Sequence, residues 1–165
     1  MTSEQYARWT APLRARPALL RLLLLANRLL TYLGYLLYPL LVVLVAASGN
    51  MAWLARAIAV PAASFAAVTL ARARLNRPRP YEVLDIDPLI HKDTRGRSFP
   101  SRHVFSIFMI AMSWLAWCAP VGVALLVLSA AMAVVRVLGG VHWPRDVVAG
   151  ALVGVACGIL GFWVL

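Results

Sequence analysis

The sequence predicts an all-α fold: a polytopic membrane helix bundle of about five transmembrane helices with an N-terminal interfacial helix. Three observations predict it. The chain of 165 residues is 62% hydrophobic, with a mean hydropathy of +0.80 and only 13% charged residues, about half the roughly 25% charge of an ordinary soluble domain. Its apolar residues gather into uninterrupted runs near the ~20 residues that a helix needs to cross a bilayer. Gly, Asn and Pro punctuate those runs at turn positions. The length leaves no room for a separate soluble module. Residues 1–165 therefore read as a single membrane-embedded domain, with 1–30 as the interfacial segment and 76–100 as one long polar loop.

The elements follow in chain order. Arg14, Arg21 and Arg28 recur every seven residues among leucines, so they share one helical stripe, the pattern of a helix lying in the headgroup plane. Pro17 to Ser48 spans thirty-two residues, short for two crossings, which favours the interfacial reading over a sixth span. No small-residue cleavage site sits in the usual position, and no removable signal peptide is expected. Leu29 to Ala55 is uncharged, and the Gly49-Asn50 turn divides it into a first span over Thr31–Ser48 and a return from Met51 to about Leu75. Pro61 inside that return is tolerable where neighbouring helices re-satisfy the freed carbonyl. Pro120 splits the uncharged run Val104–Val135 into a helical hairpin turning at Ala119-Pro120. The last span, Val147–Leu165, is introduced by Trp143-Pro144, with Pro suited to a first helical turn. Tyr32, Tyr35 and Tyr38 serve as anchors or packing. Cys118 and Cys157 lie apart in apolar runs and are expected to behave as small hydrophobes, not as a disulfide or zinc ligands.

The formal charge of +10 comes from sixteen bases, fifteen of them Arg, against six acids. The acid-free stretches are apolar segments and not a basic arm, which argues against nucleic acid as a partner. Four of the six acids (Glu82, Asp85, Asp87, Asp93) lie between residues 72 and 103, so chemistry is sought there. Two spans separate this loop from the polar stretch Arg136–Asp146. An even number returns the chain to the same face, and both segments can build one site.

Three clusters stand at the ends of spans. They are Arg72 followed after six residues by Arg79-Pro80; Pro100-Ser101-Arg102-His103; and Arg136 followed after five residues by His142 and after three more by Asp146. A lone Arg at such a boundary is usually a snorkelling anchor, and a lone His a satisfied interfacial residue. Their joint occurrence on one face exceeds what anchoring requires. Arg72, Arg79, Arg102 and Arg136 at the rim of a low-dielectric bundle would hold an oxyanion, because planar guanidinium groups match phosphate bidentately. Phosphoryl transfer gains from such fixed donors. Ser101, at the start of the third span, adds backbone N–H groups or a plain N-cap. His142 and Asp146 are four apart, so the carboxylate can accept from one ring nitrogen and free the other. His142 then serves as nucleophile or base, and His103 as a general acid. Two His and one Asp among four Arg repel a divalent cation, so neither a metal nor a cofactor is expected. His91 reads as a loop residue.

At these residues the chain resembles the type 2 phosphatidic acid phosphatase family, whose signature is Lys-six-Arg-Pro, Pro-Ser-Gly-His and Ser-Arg-five-His-three-Asp. The likeness runs from Arg72 to Asp146 in correct order and spacing. Arg72 stands in place of Lys, Arg102 in place of Gly and Val135 in place of Ser. The resemblance implies that His142 is the nucleophile forming a phosphohistidine and Asp146 its orienting partner. It implies that His103 protonates the leaving group and later activates water, and that Arg72, Arg79, Ser101, Arg102 and Arg136 bind phosphoryl oxygens, with no metal. The Arg102 side chain either joins the phosphate or points to lipid headgroups.

A site at the bundle rim suits a phosphate whose remainder stays in lipid. The expected partner is a lipid phosphate monoester or diphosphate, such as phosphatidylglycerophosphate, phosphatidic acid or undecaprenyl diphosphate, alongside membrane lipids. Two alternatives are an enzyme like the vanadate-dependent haloperoxidases and a non-catalytic bundle holding anionic headgroups. The charge bias, with Arg56 alone on the opposite face, would place the site in the cytoplasm. The site claims at least four of those arginines, and the resemblance implies a bacterial cytoplasmic (inner) membrane with the site on the extracytoplasmic face.

Overall fold

The computed structural model describes residues 1–164, which form helices and connecting loops with no strand among the described residues. The helices are α1 (Ser3–Arg14), α2 (Pro17–Ala47), α3 (Met51–Leu75), the single turn α4 (Pro80–Val83), α5 (Arg102–Trp117), α6 (Ala119–Leu138) and α7 (Pro144–Ile159), continued by a π-helical segment Leu160–Val164. Helices α2, α3, α6 and α7 with its extension are each long and apolar enough to cross a membrane. With α5 they make the predicted bundle. The turn at Ser48-Gly49-Asn50, Pro61 inside α3 and Pro144 at the start of α7 fall where the sequence puts them, while the hairpin breaks at Cys118, just before the expected Ala119-Pro120, because Pro120 suits the first turn of α6.

The N-terminal segment differs in its joints. One break, at Ala15-Arg16, separates α1 from a continuous α2, and Pro17 begins the second helix. Arg14 therefore lies on α1, while Arg21 and Arg28 lie on the first turns of α2, and the seven-residue stripe is shared between two rods. At 31 residues, α2 is about 46 Å long, roughly 15 Å more than the hydrocarbon core. Its N-terminal turns thus extend into the interface together with Arg21 and Arg28.

Lipid outside the bundle is as apolar as leucine, so packing and small residues decide which helices touch. The flank exposes Leu36, Val43, Val127 and Leu152, while α5 supplies the core with Val104, Phe105, Met109, Ala111 and Trp114. This 16-residue rod is central. Gly150, Gly154 and Gly158 of α7 face it. A Cβ at those positions would lie 2.6 Å from the Ser101 carbonyl oxygen, 2.9 Å from that of Phe105 and 2.4 Å from Met112 Cβ. The stripe brings two backbones together at the polar end of the bundle, where Ser101 N donates to Asp146 O at 2.8 Å.

Helix α1 braces the same end. Buried Tyr6 donates its hydroxyl to Leu138 O at 3.1 Å and accepts from Leu89 N at 3.2 Å. It thereby ties the long loop to the end of α6. Arg14 pairs with Asp87 at 2.8 Å, but both side chains are exposed, and such pairs contribute about 0–1 kcal/mol.

Candidate active site

The three clusters converge at the polar end. Arg72 in the last turn of α3 is buried and donates Nη1 to Ser98 O at 3.2 Å and also to Pro100 O. It fastens the segment that leads into α5. Arg79 precedes α4, with its guanidinium buried; Nε donates to Gly96 O at 3.1 Å and Nη1 to Val141 O at 3.2 Å. One arginine thus bridges the long loop and the loop that carries His142. Glu82 closes this corner by accepting from Arg79 N at 2.7 Å and from Gly96 N.

Ser101 is the N-cap residue of α5 and is fully buried, yet its hydroxyl has no hydrogen-bond partner among the described residues. Arg136, in the last turn of α6, is 1% exposed. Its Nη1 donates to Asn27 Oδ1 of α2 at 2.9 Å, while Nε and Nη2 are unpartnered. Buried polar groups are normally satisfied, and orphaned donors mark where something else must bind. A guanidinium edge and a hydroxyl left this way suit an anion.

His142 lies in the connection between α6 and α7, 1% exposed, with Asp146 fully buried in the first turn of α7. Asp146 Oδ2 accepts from Ser98 Oγ at 2.5 Å and from Trp143 N at 3.1 Å, and stands 3.5 Å from His142 Nδ1. Ser98 Oγ is also 3.4 Å from that nitrogen. The carboxylate side therefore holds Nδ1, and Nε2 has no protein hydrogen bond among the described residues. Burial lowers the His142 pKa below its ordinary value; the Asp146 contact opposes this, and Arg136 and Arg79 reinforce it. The imidazole is neutral at neutral pH, as a nitrogen nucleophile requires.

His103 sits at the start of α5, within electrostatic reach of Arg136, Lys92, His142 and Arg102. Arg102 is exposed, and its guanidinium lies over the Phe65 ring of α3, 5.5 Å from the centroid. The chain thus brings together every residue expected from sequence, with the Arg102 side chain turned to the α3 side. No group of three or more His, Cys, Asp or Glu gathers among the described residues.

Sequence reasoning missed three participants. Ser98 has no charge and no spacing signature. Asn27 carried a usable signal as a lone amide in a leucine-rich membrane helix, a position where polar residues are functional by default. Lys92, the chain's one lysine, is pushed down to about 8 by burial and then by Arg136, Arg79, Arg102 and Arg72. It is a fifth cation, on the loop and within electrostatic reach of the four arginines.

A sequence model of the PAP2 superfamily matches residues 53–165. The chain is 36% identical over 86 residues to the bacitracin transport permease protein BcrC of Bacillus licheniformis, a match spanning 52% of this chain and 42% of that relative. The chain thus covers less than half of that relative's length. Among solved structures, LpxE of Aquifex aeolicus superposes with a TM-score of 0.68 at 29% identity, covering 89% of this chain and 94% of that one. A membrane PAP2-type phosphatidylglycerolphosphate phosphatase of Bacillus subtilis gives 0.65 at 24% identity, covering 96% of this chain and 81% of its own, a likeness of fold.

Proposed function

The chain belongs to the PAP2 superfamily, and on that premise we propose that it is an integral membrane phosphatase hydrolysing a lipid phosphate monoester or diphosphate through a phosphohistidine. One observation carries the reading. A buried neutral imidazole, its Nδ1 facing Asp146 Oδ2 at 3.5 Å, lies near buried Arg79 and Arg136, and the Nε and Nη2 groups of Arg136 have no protein acceptor among the described residues. His142 Nε2 attacks phosphorus, and Asp146 stabilises the imidazolium character that develops. Arg79, Arg136, the Ser101 hydroxyl and the first amides of α5 receive the equatorial oxygens, while Arg72 adds charge and fixes the segment 98–100. His103 protonates the leaving oxygen and then takes a proton from the attacking water. The arginines supply the positive charge that a metal ion supplies in other phosphatases, so the reaction runs without one.

Residues 1–165 act as one domain, with the long loop 76–100 roofing the site. The membrane is a bacterial cytoplasmic membrane and the site faces its outer side; thiol labelling of Asp87→Cys, but not Gly49→Cys, in intact cells tests that orientation. Phosphate release from lipid phosphates in detergent, with chelator present, tests the activity. His142→Ala and His103→Ala should each lower it by at least a thousandfold. Activity retained in His142→Ala sinks the reading.

A further inference from the structure

An apolar cavity of about 530 Å³ opens beside the site between α2, α3 and α5, within the roughly 300–1,000 Å³ of ligand pockets. Gly34, Tyr35 and Tyr38 of α2, Phe65 of α3, and Arg102 and His103 of α5 are among its lining. Tyr35 and Phe65 are also exposed on the flank, at 69% and 41%, so the cavity communicates with lipid. His103 belongs both to this cavity and to the cationic site.

Arg102 sits at the junction. The Arg72, Arg79 and Arg136 guanidinium groups each donate to a protein oxygen, whereas Arg102 has Phe65 beneath it and no protein acceptor among the described residues. It lies next to His103, on the side from which the leaving oxygen would be protonated. A simple isoprenyl monophosphate places only its own chain there. A diphosphate places a second anion there, and a stacked guanidinium can bind it bidentately.

We propose that the cavity and Arg102 form a leaving-group subsite for a lipid diphosphate, whose hydrocarbon chain lies in the cavity and whose retained phosphate is held by Arg102. The inference rests on the phosphatase reading. In the first step the terminal phosphorus gains a bond to His142 Nε2 and loses its bond to the bridging oxygen. That electron pair leaves with the lipid monophosphate, which takes a proton from His103. In the second, water oxygen bonds to phosphorus, the P–N pair returns to Nε2, and one water proton passes to His103. The products are the lipid monophosphate and orthophosphate, with charge balanced and no redox change.

The test compares farnesyl diphosphate with farnesyl monophosphate in detergent, as a ratio of kcat/KM. The wild type should favour the diphosphate at least tenfold, and Arg102→Gly should cut that ratio about tenfold. Arg102→Gln stands in if the glycine variant fails to fold. The cavity is read separately through Gly34→Leu. A Cβ at Gly34 meets only Ile110 Cδ1, at an ordinary 3.6 Å, so the added side chain grows into the cavity. The farnesyl-to-isopentenyl diphosphate ratio should fall at least fivefold. A wild-type preference for the monoester, or an unchanged diphosphate-to-monophosphate ratio in Arg102→Gly and Arg102→Gln, overturns the subsite. Hydrolysis of no lipid phosphate by the wild type overturns the phosphatase reading instead.

Discussion

Ser98 Oγ donates to Asp146 Oδ2 at 2.5 Å, closer than the His142 Nδ1 that the same oxygen faces at 3.5 Å. The carboxylate is thus held from two sides, by the segment before α5 and by the ring it orients. Ser98 is a positioning residue. Removing one hydrogen bond to a charged group costs about 1.5–3 kcal/mol, roughly ten- to hundredfold in rate. Ser98→Ala should lower kcat by that factor, with KM little changed, and Ser98→Thr should recover most of it because the hydroxyl remains. Equal losses in both variants would mean that volume, not the hydroxyl, matters at this position.

The depressed pKa of His142 fixes the pH response. A lowered pKa means the ring sheds its proton below the ordinary value of about 6.5, so the imidazole proposed as nucleophile stays neutral into mildly acidic solution. The acid limb of kcat/KM should therefore lie below pH 6.5. In Ser98→Ala, Asp146 keeps more charge for the imidazole, and the limb should move up. An acid limb at or above 6.5 in the wild type contradicts the arrangement.

Asn27 holds Arg136 from a helix outside the signature clusters. Asn27→Leu leaves Nη1 unpartnered in a buried setting, at a cost of about 1–3 kcal/mol. Phosphate and vanadate, as inhibitors, report the result: their inhibition constants should rise roughly tenfold. Unchanged constants would place Arg136 under the control of other contacts.

The α5–α7 contact leaves no space at Gly150. Gly150→Ala should reduce thermal stability by about 1–3 kcal/mol through overpacking. It should also reduce kcat, because the clash is with the carbonyl of Ser101, whose N–H meets Asp146 O. Gly34→Ala, with room for its methyl, should not lower the melting temperature. Equal melting shifts in the two variants would show that α5 and α7 can separate freely.

Tyr6 and Arg14 both tie α1 to the loop, but burial separates their weights. Tyr6→Phe strands the Leu89 N–H in a buried place and should cost about 1–3 kcal/mol in thermal unfolding. Asp87→Asn, which breaks an exposed pair, should cost under about 1 kcal/mol. The reverse order would make the salt bridge the real tether.

Spacing made much of the site legible. His142 and Asp146 are four apart and straddle a Pro144 that starts a helix, so local geometry alone brings them together. The even number of spans between the clusters placed Arg79 and Arg136 on one face, and hydrophobic runs marked the rods. What stayed hidden depended on tertiary approach. Ser98 and Asn27 are single neutral residues whose partners lie 48 and 109 positions away, and no local pattern encodes such pairs. The continuity of α2 was hidden because Arg21 and Arg28 mark an interface whether a helix lies along it or rises through it. The Gly150, Gly154 and Gly158 stripe was visible as a four-residue repeat, but its partner became clear only once α5 lay against it.

The sideways opening of the apolar cavity divides the reaction between two phases. In the proposed reaction orthophosphate would depart into water and the lipid product back into the bilayer, so each would follow its own concentration scale. Turnover should then obey surface-dilution kinetics: at constant bulk substrate, adding inert phospholipid slows the enzyme, while inhibition by phosphate tracks the aqueous compartment alone.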